Sequence, residues 1–171
     1  PWAVAAALAT GVLGLGAAAL GWRPALAPVN ASATGIYSAA TLERGRQLAA
    51  LGNCAVCHTA PGGAVNAGGR AMDTPFGTIH STNLTPDADT GLGRWSADDF
   101  WRALHEGRSR DGRLLAPAFP YTSYTQVSRS DSDALYAYLM SLKPVVQANA
   151  PHALRWPYGS QLRSEEHTSE L

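Results

Sequence analysis

The chain has 171 residues, with 13 basic and 13 acidic side chains and a formal net charge of zero at pH 7. This length accommodates one domain of ordinary size with flanking segments and excludes two independent enzyme domains. Charged residues make up 15% of the chain, against roughly 25% in a typical soluble domain, and they form no basic run, which argues against nucleic-acid binding.

The N-terminal residues 1–23 form an apolar segment in which Arg23 is the first charge. About 20 such residues are long enough to cross a bilayer as a helix. Alanine and glycine make the segment only weakly hydrophobic, so a retained membrane anchor and a cleaved signal segment are both open. Residues 24–40 are rich in Pro, Ala and Ser and are predicted to be a linker.

Capping residues and apolar spacing predict three helices within residues 41–146. They cover residues 42–51, 97–106 and 130–142. Thr41 and Ser96 are the predicted N-caps of the first two helices, and Gly52 and Gly107 are their predicted ends.

The stretch 61–93 contains seven glycines and shows no periodicity, so we expect turns there and no strand. The sequence therefore predicts a small all-α domain of about three helices with long irregular loops. Something other than apolar side chains must fill the centre of such a domain.

The two cysteines carry the clearest chemical signal. Cys54, Cys57 and His58 form the C-x-x-C-H pattern of covalent haem attachment. The spacing lets two thiols of one turn reach the two vinyl groups of one macrocycle, and it places the imidazole beside the iron as an axial ligand. A zinc site would need two further ligands, and a thioredoxin-like pair would need a βαβ neighbourhood, which is absent. We predict one covalent haem c on these three residues.

Residues 41–145 resemble a haem domain of the membrane-associated, multi-haem cytochrome c subunits that accompany periplasmic alcohol, aldehyde, gluconate and nicotinate-type (molybdenum hydroxylase) dehydrogenases. The resemblance is carried by residues 52–63, 74–87, 90–96, 110–112, 117–121 and 134–139. It implies a cytochrome c-like fold and electron transfer from a dehydrogenase catalytic subunit toward a quinone or an oxidase. It also implies a location on the periplasmic side of the inner membrane, with contact through the N-terminal segment. The domain is expected to carry electrons and not to convert a substrate itself.

Family members typically contain three haem domains in series, and this chain resembles the first of them. Residues 147–162 are then expected to begin the connection to a further haem domain of the same subunit. Residues 163–171 change composition abruptly and resemble the translation of a sequencing-library adapter, so they are set aside.

The sixth iron ligand is the point at which this sequence departs from the family. Many family domains carry a methionine that can ligate iron at the position that Phe119 occupies here. Met72 is our first prediction for the sixth ligand, His80 the second and His105 the third. An open sixth site is the alternative, and it would suit a peroxidase or gas sensor with His80 as the distal base. Three arginines are candidates to bind the haem propionates: Arg70, Arg94 and Arg113.

Overall fold

The computed structural model describes residues 2, 10–12, 14, 37–116 and 118–156. The predictions of an anchor or signal segment, of most of the linker and of an adapter-derived tail thus fall largely or wholly outside the described residues. Among the described residues, none of the helices combines the length and the apolar character that crossing a bilayer requires.

The described part of the chain contains helices and three short strands. In chain order they are α1 (Ala39–Leu51), α2 (Cys54–Cys57), β1 (Ala71–Thr74), β2 (Gly77–His80), α3 (Ala97–Glu106), a 3₁₀ helix (Tyr121–Ser123), α4 (Arg129–Met140) and β3 (Ala153–Leu154). The strands form one antiparallel sheet in the order β1-β2-β3.

The prediction of an all-α domain of about three helices is wrong, because the glycine-rich stretch forms β1 and β2 and these pair with β3 in a sheet. Strands β1 and β2 form a hairpin whose turn ends at Gly77, with φ at 122°. A Cβ at Gly77 would lie 2.3 Å from the carbonyl oxygen of Ala153 in β3. The strands depend on this turn and on pairing with a segment distant in sequence, and they are too short to show an alternating pattern.

The predicted bounds of α3 are confirmed. Ser96 and Asp99 form a capping box at its start, and Gly107, with φ at 61°, ends it. Helices α1 and α4 begin earlier than predicted, because serines upstream of the predicted starts cap them. Their N-caps are Ser38 for α1 and Ser128 for α4.

The core forms where α1, α3 and α4 meet. Leu139, only 1% exposed, lies in it with Phe100 and Leu104 from α3. The backbones of α1 and α4 are in contact at Gly45, where a Cβ would lie 2.0 Å from the carbonyl oxygen of Ala134. Only glycine allows so close a crossing, which fixes α1 and the chain that follows it relative to α4.

We expect Gly45→Ala to destabilise the fold, although alanine is the better helix former by about 1 kcal/mol. The added methyl group meets main-chain atoms, so the two helices must separate, which costs roughly 1–3 kcal/mol or more. Denaturant unfolding monitored by circular dichroism measures the change. The control is Gln47→Ala, at an exposed position of the same helix. A Gly45→Ala protein more stable than the wild type would contradict the close crossing.

The ion pair between Arg44 and Asp131 also joins α1 to α4, with Arg44 Nε 2.8 Å from Asp131 Oδ1. Hydrogen bonding to Arg44 lowers the pKa of the Asp131 carboxyl. A carboxyl whose pKa is lower in the folded chain stabilises the fold above its ordinary pKa, and this contribution disappears as the pH falls through the lowered value.

Asp131→Asn should therefore unfold at a lower temperature than the wild-type protein at pH 7. The gap should be small, since the pair is at the surface, and should close as the pH falls through the lowered pKa of Asp131. Thermal unfolding at a series of pH values measures it. A gap that persists in acid would show that the charge of Asp131 is not the cause.

Candidate haem site

The cysteine motif occupies the turn that follows α1. Asn53 adopts the left-handed conformation, with φ at 54°, and directs the chain into α2, which spans only Cys54–Cys57. The His58 N–H donates to the carbonyl oxygen of Cys54 at 2.9 Å and closes this turn. Residues three apart on a helix share a face, and the two thiols are not joined in a disulfide. This arrangement suits attachment of two thiols to one planar group.

His58 is held in the tautomer that binds a metal. Its Nδ1 lies 2.7 Å from the carbonyl oxygen of Thr82. A carbonyl oxygen can only accept, so Nδ1 carries the ring proton and Nε2 keeps its lone pair for a metal. Burial lowers the pKa of His58, although the bond to Thr82 opposes the shift. The ring is thus favoured in the neutral, ligating form.

The carbonyl of Thr82 can approach His58 because the residue between their two segments of chain, Gly68, has no side chain. Gly68 has φ at 76° and donates its N–H to the carbonyl oxygen of His58 at 2.7 Å. A Cβ at Gly68 would lie 2.5 Å from the carbonyl carbon of Thr82. Sequence patterns did not point to Thr82, because its contribution is a main-chain atom; the neighbouring glycines were the only local signal.

Two stacked aromatic rings lie beside the motif. The Tyr124 hydroxyl donates to the carbonyl oxygen of Gly52 at 3.0 Å, and its ring is stacked on Phe119 with centroids 5.5 Å apart. Burial raises the pKa of Tyr124, with smaller contributions from Cys54 and Cys57. Phe119 therefore packs against a residue that contacts the chain just before the cysteines.

The first and second candidates for the sixth ligand, Met72 and His80, lie on the hairpin that leads into Thr82. Met72 is in β1, and His80 ends β2 two residues before Thr82. His80 contacts the segment that follows α4. Its ring Nδ1 is 3.0 Å from the carbonyl oxygen of Pro151, and its main-chain N–H donates to His152 Nδ1 at 3.1 Å. The identity of the sixth ligand stays a prediction.

His105, the third candidate, lies on α3 with its ring stacked on Trp101 at a centroid distance of 3.5 Å. Its Nδ1 is 3.0 Å from the carbonyl oxygen of Trp101, and its Nε2 is 3.0 Å from that of Val127. Both ring nitrogens thus contact main-chain oxygens, as in a histidine that joins a helix to a loop.

The three arginines predicted to bind propionates differ in their surroundings. Arg94 forms an ion pair with Asp89 at 2.8 Å, and Arg113 forms one with Asp111. Arg70 is exposed. Their role toward propionates stays a prediction.

Comparison with known proteins identifies the class of site. The family model described as "Cytochrome c" matches residues 42–143. The chain belongs to the cytochrome c family. It is a c-type cytochrome, which transfers electrons through covalently bound haem c, and the thiol pair and the free Nε2 of His58 fit that group. No three His, Cys, Asp or Glu side chains among the described residues are grouped as a zinc site would require.

The predicted resemblance to the cytochrome subunits of dehydrogenases is confirmed. The chain is 58% identical to a nicotinate dehydrogenase subunit from Pseudomonas putida over 149 residues, which are 87% of this chain and 13% of that protein. It is 50% identical to the gluconate 2-dehydrogenase cytochrome c subunit of Pantoea cypripedii over 119 residues, 69% of this chain and 27% of that protein. Identity to the alcohol dehydrogenase (quinone) cytochrome c subunit of Gluconobacter oxydans is 41% over 127 residues, 70% and 27% of the two chains. The chain thus spans only 13% to 27% of the length of these relatives.

We expect Tyr124→Phe to destabilise this c-type cytochrome without loss of haem. The substitution keeps the ring stacked on Phe119 but removes the hydrogen bond to Gly52, which is worth about 1 kcal/mol. Thermal unfolding and the haem-to-protein ratio measure the two effects. Tyr121→Phe is the matched control, since no hydrogen bond of its hydroxyl is found among the described residues. Equal melting temperatures for the two variants would contradict the role of the bond.

Proposed function

We propose that this domain holds one haem c by thioether bonds to Cys54 and Cys57, with Nε2 of His58 as an axial ligand of the iron. The hydrogen bond from His58 Nδ1 to Thr82 carries the proposal, because it leaves Nε2 as the ring nitrogen with a free lone pair. The haem supplies a one-electron Fe(III)/Fe(II) couple, and the protein holds and tunes it.

The described residues supply three elements of this function. The carbonyl of Thr82 makes the imidazole a stronger donor, which favours the oxidised iron and lowers the reduction potential. The stacked rings of Phe119 and Tyr124 contribute apolar surface beside the cysteines. Cys57 is exposed, so its thiol is accessible for attachment of the haem.

We propose further that the electrons come from the catalytic subunit of a dehydrogenase and continue toward a quinone or an oxidase, through further haem domains of a longer subunit. The names of the relatives support the dehydrogenase, and their greater length supports the further domains. The proposal puts the site on the periplasmic side of the inner membrane, with residues 1–23 as the contact with the membrane.

The alternative function, a peroxidase or gas sensor with an open sixth site, depends on His80 as a distal base. The bond between His80 Nδ1 and the Pro151 carbonyl oxygen leaves Nε2 of His80 with its lone pair, as Thr82 does for His58, so the contacts of His80 do not separate the two functions. The relatives named as cytochrome c subunits of dehydrogenases favour electron transfer. The electron carrier is therefore the better-supported function.

The test is to produce the full chain with a c-type maturation system and to measure its mass, its haem-to-protein ratio and its spectrum. We expect the added mass of one haem, resistance to extraction by acidified acetone, and reversible reduction. In the Cys54→Ala/Cys57→Ala variant the haem should be extractable or absent. Val56→Ala, a change within the same motif, is the control and should keep the haem. A colourless mature wild-type protein would refute the proposal, and two haems per chain would refute the stoichiometry.

A further inference from the structure

We infer that Asn149 is a positioning residue for the haem iron, because it holds the peptide group whose carbonyl oxygen orients His58. The inference rests on the proposed role of His58 as an axial ligand. Asn149 lies beyond the part of the chain that the cytochrome c family model matches, which ends at residue 143.

Asn149 belongs to the strap, which we define as residues 145–155. The strap follows α4 and returns along residues 76–90, the segment that carries Thr82. Its main-chain N–H groups donate to Thr85 Oγ1 from Val145 at 3.1 Å, to Thr90 Oγ1 from Gln147 at 3.1 Å and to the Phe76 carbonyl oxygen from Arg155 at 2.8 Å. Its strand β3 pairs with β2. The strap is therefore bonded to the segment along most of its length.

The peptide group between Thr82 and Asn83 connects the strap to the haem ligand. Its carbonyl oxygen accepts from His58 Nδ1 at 2.7 Å, and its N–H donates to Asn149 Oδ1 at 2.9 Å. A peptide group is planar and trans, so its C=O and N–H point in opposite directions. Fixing the N–H on Asn149 therefore aims the C=O at His58.

The side chain of Asn83 prevents this peptide from rotating. The residue is 2% exposed. Its Nδ2 donates to the carbonyl oxygen of Val145 at 2.8 Å and to Thr90 Oγ1 at 3.0 Å, while its Oδ1 accepts from the N–H and hydroxyl of Thr85 at 2.9 and 2.8 Å. All donors and acceptors of the amide are thus used. Any rotation would leave buried polar groups unpaired.

The bond from Asn149 also acts through the electrons of the peptide. A hydrogen bond at the N–H polarises the group and makes its carbonyl oxygen a better acceptor. The bond from His58 Nδ1 then strengthens, and the imidazole donates more strongly to the metal. Removing the Asn149 acceptor should shift the reduction potential of the haem to a more positive value.

The experiment compares the haem-loaded wild-type chain with Asn149→Ala, Asn149→Asp and Gln147→Ala. Asn149 is exposed, so its variants should fold and keep the haem. Gln147→Ala is the matched control, because it removes a side-chain amide from the same strap. Among the described residues, the hydrogen bond of Gln147 Nε2 is to the neighbouring Ala148 carbonyl oxygen, at 3.3 Å. Aspartate at 149 keeps the acceptor for the Asn83 N–H and loses the donor to Thr90.

Two measurements test whether Asn149 positions His58 for the haem iron. Redox titration should give a more positive potential for Asn149→Ala than for the wild-type protein and Gln147→Ala. NMR of histidine-labelled, reduced protein should show faster solvent exchange of the His58 Nδ1 proton in Asn149→Ala, and exchange near the wild-type rate in Asn149→Asp. A merely structural role would change the melting temperature and leave both unchanged.

Potential and proton exchange that are equal in Asn149→Ala and wild type would overturn the inference, and so would equal shifts in Asn149→Ala and Gln147→Ala. Either result leaves the proposed function intact, provided that the wild-type chain carries its haem on Cys54 and Cys57. A wild-type chain without covalent haem would instead overturn the proposed function and this inference with it.

Discussion

The hydrogen bond between His58 Nδ1 and the carbonyl oxygen of Thr82, 2.7 Å long, joins the parts of this domain that matter for its chemistry. It selects the tautomer of the histidine, and it connects the cysteine turn after α1 to the segment that follows the hairpin. Through Asn83 the same peptide is tied to the strap. The peptide group between Thr82 and Asn83 thus links the cysteine turn, the segment after the hairpin and the strap.

The helices serve this site as a frame. Because Gly45 lets α1 and α4 touch, α1 cannot shift without disturbing the core, and the end of α1 determines where the cysteine turn begins. Tyr124 adds a second restraint by donating to the carbonyl oxygen of Gly52. Cofactor proteins commonly need such restraint, because metal ligands that move by fractions of an ångström change affinity and potential.

The parts predicted from the sequence are those with local causes. The motif of Cys54, Cys57 and His58 depends on the chemistry of five consecutive residues, and the cap at Ser96 depends on one turn of chain. The sheet and the role of Thr82 depend on pairing between distant segments and on main-chain atoms, which residue types do not reveal. Similarly, Ser38 and Thr41 are both good N-caps by residue type, and in the structure Ser38 begins α1 by accepting from the Thr41 N–H.

The two carbonyl groups that hold His58 and Asn83 belong to Thr82 and Val145, and every amino acid supplies the same oxygen at these positions. Exchanging either side chain can therefore leave the contacts in place. A change in the number of residues between Met140 and Asn149 has the opposite effect, since it moves each donor and acceptor of the returning chain past its partner. Divergent copies of this domain would be expected to vary freely in residue type here while conserving the spacing.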